Sequence, residues 1–92
     1  MKVYSLALSE RADADLGQLY LSEPKAYEKA MRLLEQIVQT PYSGIGKPEA
    51  LRGNMSGLWS RRITQKHRLV YKVKEEEILI LVLRALGHYD DK

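Results

Sequence analysis

Hydrophobic side chains recur at helical spacing through residues 9–38. The clearest stripe falls at i, i+3, i+4, i+7, i+10 and i+11 and comprises Tyr27, Ala30, Met31, Leu34, Ile37 and Val38. Such a stripe is typical of an amphipathic helix that buries one face. Upstream, the Ser9 hydroxyl can cap another helix, in which Leu16 and Leu19 share an apolar side. Together with a short apolar strand over residues 2–8, this half predicts the order strand, helix, helix.

After Thr40 the spacing changes to alternation and short apolar runs. Residues 41–48 hold two prolines and two glycines, which indicates a loop. Residues 57–64 and 68–73 alternate in polarity and predict the two strands of a hairpin. Ile78–Leu83 is uniformly apolar and predicts a central strand covered on both faces. The second half is therefore predicted to be a sheet of three or four strands.

The order of these elements predicts the fold class. Two amphipathic helices bury their apolar stripes most simply on one face of a small, mostly antiparallel sheet. We therefore predict an α+β fold with two N-terminal helices packed on one side of the sheet. From the length of the chain we expect residues 1–92 to form a single domain.

Composition narrows the class of protein. The hydrophobic fraction of 45% and the charged fraction of 29% are typical of a globular domain. The absence of cysteine excludes disulfides and thiolate metal sites. The longest apolar run has six residues, whereas a membrane-spanning helix needs about 20, and no signal-peptide pattern is visible. We expect a cytoplasmic protein without a membrane partner.

Positive charge is concentrated in the second half of the chain. The net charge is −1 over residues 1–40 and +4 over residues 41–92. Between Gly44 and Lys74 there are eight lysines or arginines and one acid, Glu49. A carboxylate among cations is what a phosphodiester-cleaving site uses, because the carboxylate can take a proton while the cations bind the phosphate. The alternative is a solvated basic hairpin in which Glu49 is only a turn residue.

Three other positions bear on the chemistry. Arg61 and Arg62 are adjacent in a predicted strand, so they point to opposite faces and only one of them can line a given site. His67 lies in the predicted hairpin turn, where we interpret it as structural or solvated. The acidic turn Glu75–Glu77 is interpreted as solvated. Two well-separated histidines and no cysteine do not favour a metal site, and we expect no cofactor.

The remaining candidates form a set that could cleave RNA without a metal ion. They are Glu49 as general base, Arg68 as transition-state cation, His88 as general acid, and Lys47, Arg52 and Arg62 as phosphate contacts. The 2′-OH of RNA is a built-in nucleophile, which DNA lacks. The set therefore fits RNA as the substrate.

Four motifs carry a resemblance to a known family. They are the run Thr40–Arg52 with its Lys-Pro-Glu turn, the run Ser56–Ile63, the sequence His-Arg-Leu-Val-Tyr at residues 67–71, and the terminal pair His88-Tyr89. Together they resemble the YoeB/Txe family of RelE-superfamily toxins from type II toxin–antitoxin systems. The resemblance covers residues 40–89 and implies a RelE/YoeB-like toxin fold for the chain.

The resemblance also implies an activity and partners. Members of that family are endoribonucleases that cleave mRNA in the A site of the 70S ribosome. They contact the 16S rRNA there, and the cleavage inhibits translation. The cleavage uses metal-free attack by the 2′-OH. An antitoxin of the YefM/Phd type holds the toxin inactive through an acidic, disordered tail. Homodimerisation is left open.

Site residues carry over by motif. Glu49 resembles the base that takes the 2′-OH proton, Arg68 the residue that stabilises the pentavalent phosphate, and His88 the acid that protonates the 5′-oxygen. Tyr89 resembles a residue that helps to hold the substrate. Lys47, Arg52 and Arg62 then line the site and contact phosphate.

Two other functions compete with this interpretation. One is a ParE-like toxin, which shares the fold and acts on gyrase but lacks the glutamate, arginine and histidine set. The other is a non-catalytic RNA-binding module, whose basic face would bind RNA with strong salt dependence and release no fragments.

Overall fold

The helices begin and end close to where the hydrophobic pattern predicts. The computed structural model describes residues 2–87. Its first three elements are β1 (Ser5–Leu8), α1 (Glu10–Ser22) and α2 (Pro24–Ile37). The Ser9 hydroxyl caps α1 by accepting a hydrogen bond from the Ala12 amide at 3.0 Å, as the sequence predicts. Among residues 2–87, no helix is long and apolar enough to span a membrane.

Strands make up the second half of the described chain. They are β2 (Glu49–Ala50), β3 (Trp59–Arg62), β4 (Arg68–Lys74) and β5 (Leu79–Arg84). Within residues 2–87 the sheet has five strands in the order β1-β5-β4-β3-β2. Only the β1–β5 pair is parallel, and the other three pairs are antiparallel. The predicted α+β fold with a mostly antiparallel sheet is confirmed.

The core lies between the two helices and one face of this sheet. Its fully buried side chains include Leu19 and Leu33 from the helices and Leu69, Tyr71 and Ile80 from the strands. The predicted stripe of α2 faces this core: three of its members are buried and three pack against the buried cluster. Burial of each large apolar side chain contributes about 1.5–3 kcal/mol, so this interface stabilises the fold substantially.

The prediction that Ile78–Leu83 is covered on both faces is wrong. Ile80 and Val82 are fully buried, whereas Leu79 and Leu81 are only half-buried. The helices cover one face of the sheet, and Leu79 and Leu81 project from the other face. Ile78 lies outside the strand, in a left-handed conformation at φ 50°. A short apolar run does not by itself distinguish one buried face from two.

The acidic turn has a structural role that the sequence does not reveal. Although Glu75 is exposed, its carboxylate accepts hydrogen bonds from Tyr4 Oη at 2.7 Å, Lys2 Nζ at 3.3 Å and the hydroxyl of Tyr42. The Tyr42 ring also packs against Trp59, with ring centroids 5.1 Å apart. One carboxylate therefore connects the start of the chain, the loop after α2 and the connection between β4 and β5.

This carboxylate makes the stability of the protein depend on pH. Hydrogen bonds from Tyr42 and Tyr4 lower the pKa of Glu75 below its usual 4.5. A carboxyl with a lowered pKa in the folded state stabilises the fold above its unfolded-state pKa, and that contribution is lost as the pH falls through the folded-state pKa. We expect Glu75→Gln to be less stable than the parent near neutral pH and to lose less stability below pH 4.5. Urea unfolding across this range measures both effects. The exposed Glu76→Gln is the control, and parallel curves for parent and Glu75→Gln would contradict the prediction.

Candidate active site on the open face of the sheet

The candidate catalytic residues on β2, β3 and β4 share the open face of the sheet, defined here as the face away from α1 and α2. Residues directly opposite each other on antiparallel strands project from the same face. The register gives one row across four strands, formed by Glu49, Ser60, Val70 and Arg84. The next row pairs Arg62 directly with Arg68. The sheet therefore brings Glu49, Arg62 and Arg68 to one surface.

Arg61 and Arg62 project from opposite faces of β3, as the sequence predicts. Arg61 faces the helices and is completely buried. Its guanidinium donates hydrogen bonds to Tyr71 Oη at 3.1 Å, Gln36 Oε1 at 2.9 Å and the carbonyl oxygens of Thr40, Ser43 and Ile45. Three of these five acceptors belong to the loop after α2. Arg61 therefore holds this loop against the sheet, whereas Arg62 is the arginine that lines the open face.

That loop places Lys47 and Glu49 at the edge of the sheet. Gly46 has a φ of +82°, and its carbonyl oxygen accepts a hydrogen bond from the Arg62 amide at 2.6 Å. A Cβ atom at Gly46 would lie 2.8 Å from Leu33 Cδ2, so only glycine fits without movement of the helix side chain. Lys47 also has a positive φ, 50°, which is uncommon for a residue other than glycine. The backbone conformation of the turn before β2 is thus restricted at Gly46 by the neighbouring Leu33 side chain and at Lys47 by its positive φ.

Exposure differs among the residues of the site. Lys47, Glu49 and Arg52 are exposed, whereas Arg62 and Arg68 are half-buried. A depression of about 240 Å³ is lined by Glu49, Arg52 and the two residues between them. The Nε atom of Arg62 is buried and has no hydrogen-bond partner among residues 2–87. Leaving a buried donor unpaired costs about 1–3 kcal/mol.

The C-terminal candidates lie just beyond the described residues. His88 and Tyr89 fall outside residues 2–87. The residue before them, Gly87, accepts a hydrogen bond from the Arg68 amide through its carbonyl oxygen at 2.8 Å. Two residues earlier, the amide of Ala85 donates to the buried Asp15 carboxylate at 2.9 Å. The chain after β5 is therefore held beside the beginning of β4.

His67 has a structural role, which is one of the two interpretations that the sequence allows. Its side chain is buried, and Nε2 lies 2.7 Å from Glu23 Oε2. This hydrogen bond is the main reason why the pKa of Glu23 is lowered, with Lys66 adding a weaker attraction at 3.9 Å. Nδ1 of His67 accepts a hydrogen bond from the Gly87 amide at 2.9 Å. Within residues 2–87 no three acidic or imidazole groups converge in a way that could hold a metal ion.

Sequence reasoning missed the contacts of two buried side chains, Arg61 and His67. A signal existed for Arg61, because the alternation of β3 puts it on the same face as Trp59 and Ile63. No comparable signal existed for His67, whose partners Glu23 and Gly87 are 44 and 20 residues away in the sequence.

Solved toxin structures share this backbone. A YoeB/ParE toxin from Agrobacterium tumefaciens matches with a TM-score of 0.87 and 35% identity, covering 92% of this chain and 99% of that chain. A YoeB dimer from Staphylococcus aureus matches with a TM-score of 0.82 and 34% identity, covering 94% and 98%. A YoeB–YefM heterotetramer from Staphylococcus aureus gives a TM-score of 0.81 over the same coverage. The fold is that of the YoeB/RelE-type toxins.

Sequence comparison identifies the family within that class. A profile described as "YoeB-like toxin of bacterial type II toxin-antitoxin system" matches residues 9–89. Toxin YoeB of Mycobacterium bovis is 46% identical over 68 residues, covering 74% of this chain and 78% of the relative. Toxin YoeB of Synechocystis is 38% identical over 84 residues, covering 91% and 95%. The chain belongs to the YoeB-like toxins of bacterial type II toxin–antitoxin systems.

Proposed function

We propose that this toxin is an endoribonuclease that cleaves mRNA in the A site of the 70S ribosome and thereby inhibits translation. The observation that carries the proposal is the direct pairing of Arg62 with Arg68 on the open face, beside Glu49. Two guanidinium groups on one face can bind a phosphate with two positive charges and charge-assisted hydrogen bonds. Glu49 is the only carboxylate between Gly44 and Lys74.

The spacing of the strands suits a phosphodiester. Neighbouring strands lie about 4.8 Å apart, and β3 separates β2 from β4. The backbones of Glu49 and Arg68 are therefore roughly 10–12 Å apart. The side chains of Glu49 and Arg68 are long enough to reach towards each other across this gap and flank one scissile linkage.

In the proposed reaction the RNA supplies its own nucleophile. Glu49 takes the proton of the 2′-OH, and the resulting oxygen attacks the adjacent phosphorus. Arg68 stabilises the extra negative charge of the pentavalent phosphate. The bond to the 5′-oxygen breaks, and His88 donates a proton to that oxygen. The products are a 2′,3′-cyclic phosphate and a 5′-hydroxyl. Every proton is moved by a side chain, so no metal ion or other cofactor takes part in a step.

The other basic residues position the RNA in this proposal. Lys47, Arg52 and Arg62 contact phosphates on either side of the scissile bond, and Tyr89 helps to hold the substrate. The cations that surround the general base Glu49 are also suited to binding the negatively charged phosphates of 16S rRNA.

The partners follow from the same charge pattern. We propose that a YefM/Phd-type antitoxin inhibits the toxin by laying an acidic segment over the open face. The relative from Staphylococcus aureus forms a complex with YefM and also forms a dimer, which supports an antitoxin partner and a homodimer here. The proposed site of action is the cytoplasm, where mRNA is translated.

A 2′-deoxy substitution in the mRNA tests the proposal directly. Ribosomes are programmed with an mRNA that carries one 2′-deoxynucleotide on the 5′ side of the scissile phosphate in the A-site codon. We expect the parent toxin to cleave the all-RNA message and to leave the substituted message intact, because the nucleophile is missing. Cleavage of both messages at the same bond would overturn the mechanism.

The same preparation separates the competing functions. A gyrase supercoiling assay reports a ParE-like activity, and inhibition there without mRNA cleavage would favour that alternative. Salt-dependent binding of RNA without any fragment would favour the binding module. We expect neither result.

A further inference from the structure

The side-chain amide of Gln36, near the end of α2, contacts the loop that leads to Glu49. Its Oε1 atom accepts a hydrogen bond from the Ile45 amide at 2.6 Å and another from Arg61 Nη1 at 2.9 Å. Both partners are donors, so the atom between them must be the oxygen of the side-chain amide. Arg61 Nη1 also donates to the carbonyl oxygen of Ile45 at 3.2 Å. The two backbone polar groups of Ile45 are therefore bonded by Gln36 and Arg61.

The close approach of the loop to this amide depends on a glycine. Gly44 has a φ of +121°, and a Cβ atom there would lie 1.8 Å from Gln36 Oε1. A side chain at Gly44 would therefore displace the oxygen that binds Ile45. Glycine allows the loop backbone to pass directly over the Gln36 amide.

The connection from Ile45 to Glu49 is short and stiff. The Gly46 carbonyl oxygen is bonded to the β3 backbone at 2.6 Å, and Lys47 has a φ of 50°. The ring of Pro48 fixes its own φ at about −65°. β2 begins at Glu49 and has two residues, so few bonds between strands oppose a shift that comes from the loop. A displacement of Ile45 is therefore passed on to Glu49.

We propose that Gln36 is a positioning residue for the general base: by fixing Ile45, it places the Glu49 carboxylate to take the proton of the 2′-OH. Gln36 lies on α2, which packs against the other face of the sheet, so it acts through the loop and not by contact with RNA. A general base must lie within about 2.6–3.2 Å of the group that it deprotonates, and a misplacement of about 1 Å can cost about 10²-fold in rate. The inference rests on the proposed function, since it presupposes that Glu49 takes the proton.

A purely structural role is the competing explanation, in which Gln36 only contributes to the stability of the protein. Gln36→Met has a side chain of similar length and removes the acceptor of both hydrogen bonds. Gln36→Glu keeps an acceptor oxygen in the same place and is the conservative variant. Gln39→Met is the matched control, because it removes an exposed side-chain amide three positions further along the chain.

The experiment measures single-turnover cleavage on programmed ribosomes in two backgrounds, the parent and Glu49→Gln. In the parent background we expect Gln36→Met to be at least about 10-fold slower, and Gln36→Glu and Gln39→Met to stay within about threefold of the parent. In the Glu49→Gln background we expect Gln36→Met to change the rate by less than about twofold, because the group that it positions is already absent. A general loss of structure would slow both backgrounds by the same factor. Rates are compared at a temperature at which thermal unfolding shows every variant to be folded.

The outcomes distinguish the proposal from its alternatives. Equal factors in the two backgrounds, a parental rate for Gln36→Met, or a loss in Gln36→Glu as large as that in Gln36→Met would overturn the proposal. The variant Glu49→Gln is the reference: if it cleaves as fast as the parent, the base assignment in the proposed function fails, and the role of Gln36 fails with it.

Hydrogen exchange at the Ile45 amide tests the anchor without any activity. We expect exchange to be slow in the parent, Gln36→Glu and Gln39→Met and faster in Gln36→Met, because only the last leaves this amide without its acceptor. Equal exchange in the four proteins would overturn the proposal even if mRNA cleavage is confirmed.

Discussion

Glu49→Gln is expected to lower the single-turnover rate of mRNA cleavage by about 10²–10⁴-fold, which is the usual contribution of a general base. Glutamine has the shape of glutamate and cannot take a proton from the 2′-OH. Because Glu49 is exposed on the two-residue edge strand β2, we expect the stability to change by no more than about 0.5 kcal/mol. Affinity for programmed ribosomes should change little, since the surrounding cations remain.

The matched control for this change is Glu28→Gln, which removes one exposed carboxylate from α2. Both variants raise the net charge by the same amount, so a general electrostatic effect on ribosome binding appears in both. A selective loss of rate in Glu49→Gln therefore reports chemistry. If Glu49→Gln cleaves as fast as the parent, another group takes the proton and the assignment of the base is wrong.

The adjacent arginines of β3 are expected to give opposite results when each is replaced by methionine. Arg61→Met removes the donor from five acceptors, of which Tyr71 Oη is buried and the other four are in partly buried hydrogen bonds. A hydrogen bond to a charged group contributes about 1.5–3 kcal/mol, so the loss of several removes a large share of the about 5–15 kcal/mol that stabilises a typical domain. Arg62→Met should alter stability by less than about 1 kcal/mol, because it also removes the repulsion with Arg68. It should reduce cleavage about 10–100-fold through the lost phosphate contact.

Chemical unfolding and cleavage assays on the two variants measure both quantities. Methionine has a similar length to the apolar part of arginine, so the loss of packing is small in each case. The two positions are neighbours in the sequence and serve as controls for each other. Equal losses of stability would contradict the assignment of their faces, and normal cleavage by a folded Arg62→Met protein would remove Arg62 from the site.

Most of the fold could be predicted from the sequence because local signals agree with it. The stripe of α2 and the cap at Ser9 depend on residues a few positions apart, and the structure confirms both. The burial of β5 could not be predicted, since it depends on the helices covering one face of the sheet only. The order of the strands also required the structure, because β1 and β5 pair across more than 70 positions of sequence.

The residues of the site also fall into those that the sequence predicted and those whose contacts it could not predict. Motif resemblance pointed to Glu49, Arg62 and Arg68, and the register of the strands puts all three on the open face. Their catalytic roles remain predictions. The supporting contacts of Arg61 and His67 could not be predicted, because a buried polar side chain is recognised by its partners, and those partners come from distant parts of the chain.

The position of β5 between β1 and β4 has a consequence for biosynthesis. Within residues 2–87, β1 pairs only with β5, so β1 must wait for a strand that is synthesised more than 70 residues later. Until that strand emerges, β2, β3 and β4 can pair with one another, but the strand that joins β1 to them is missing. A message interrupted before the codons for β5 would therefore yield a chain in which β1 has no strand to pair with.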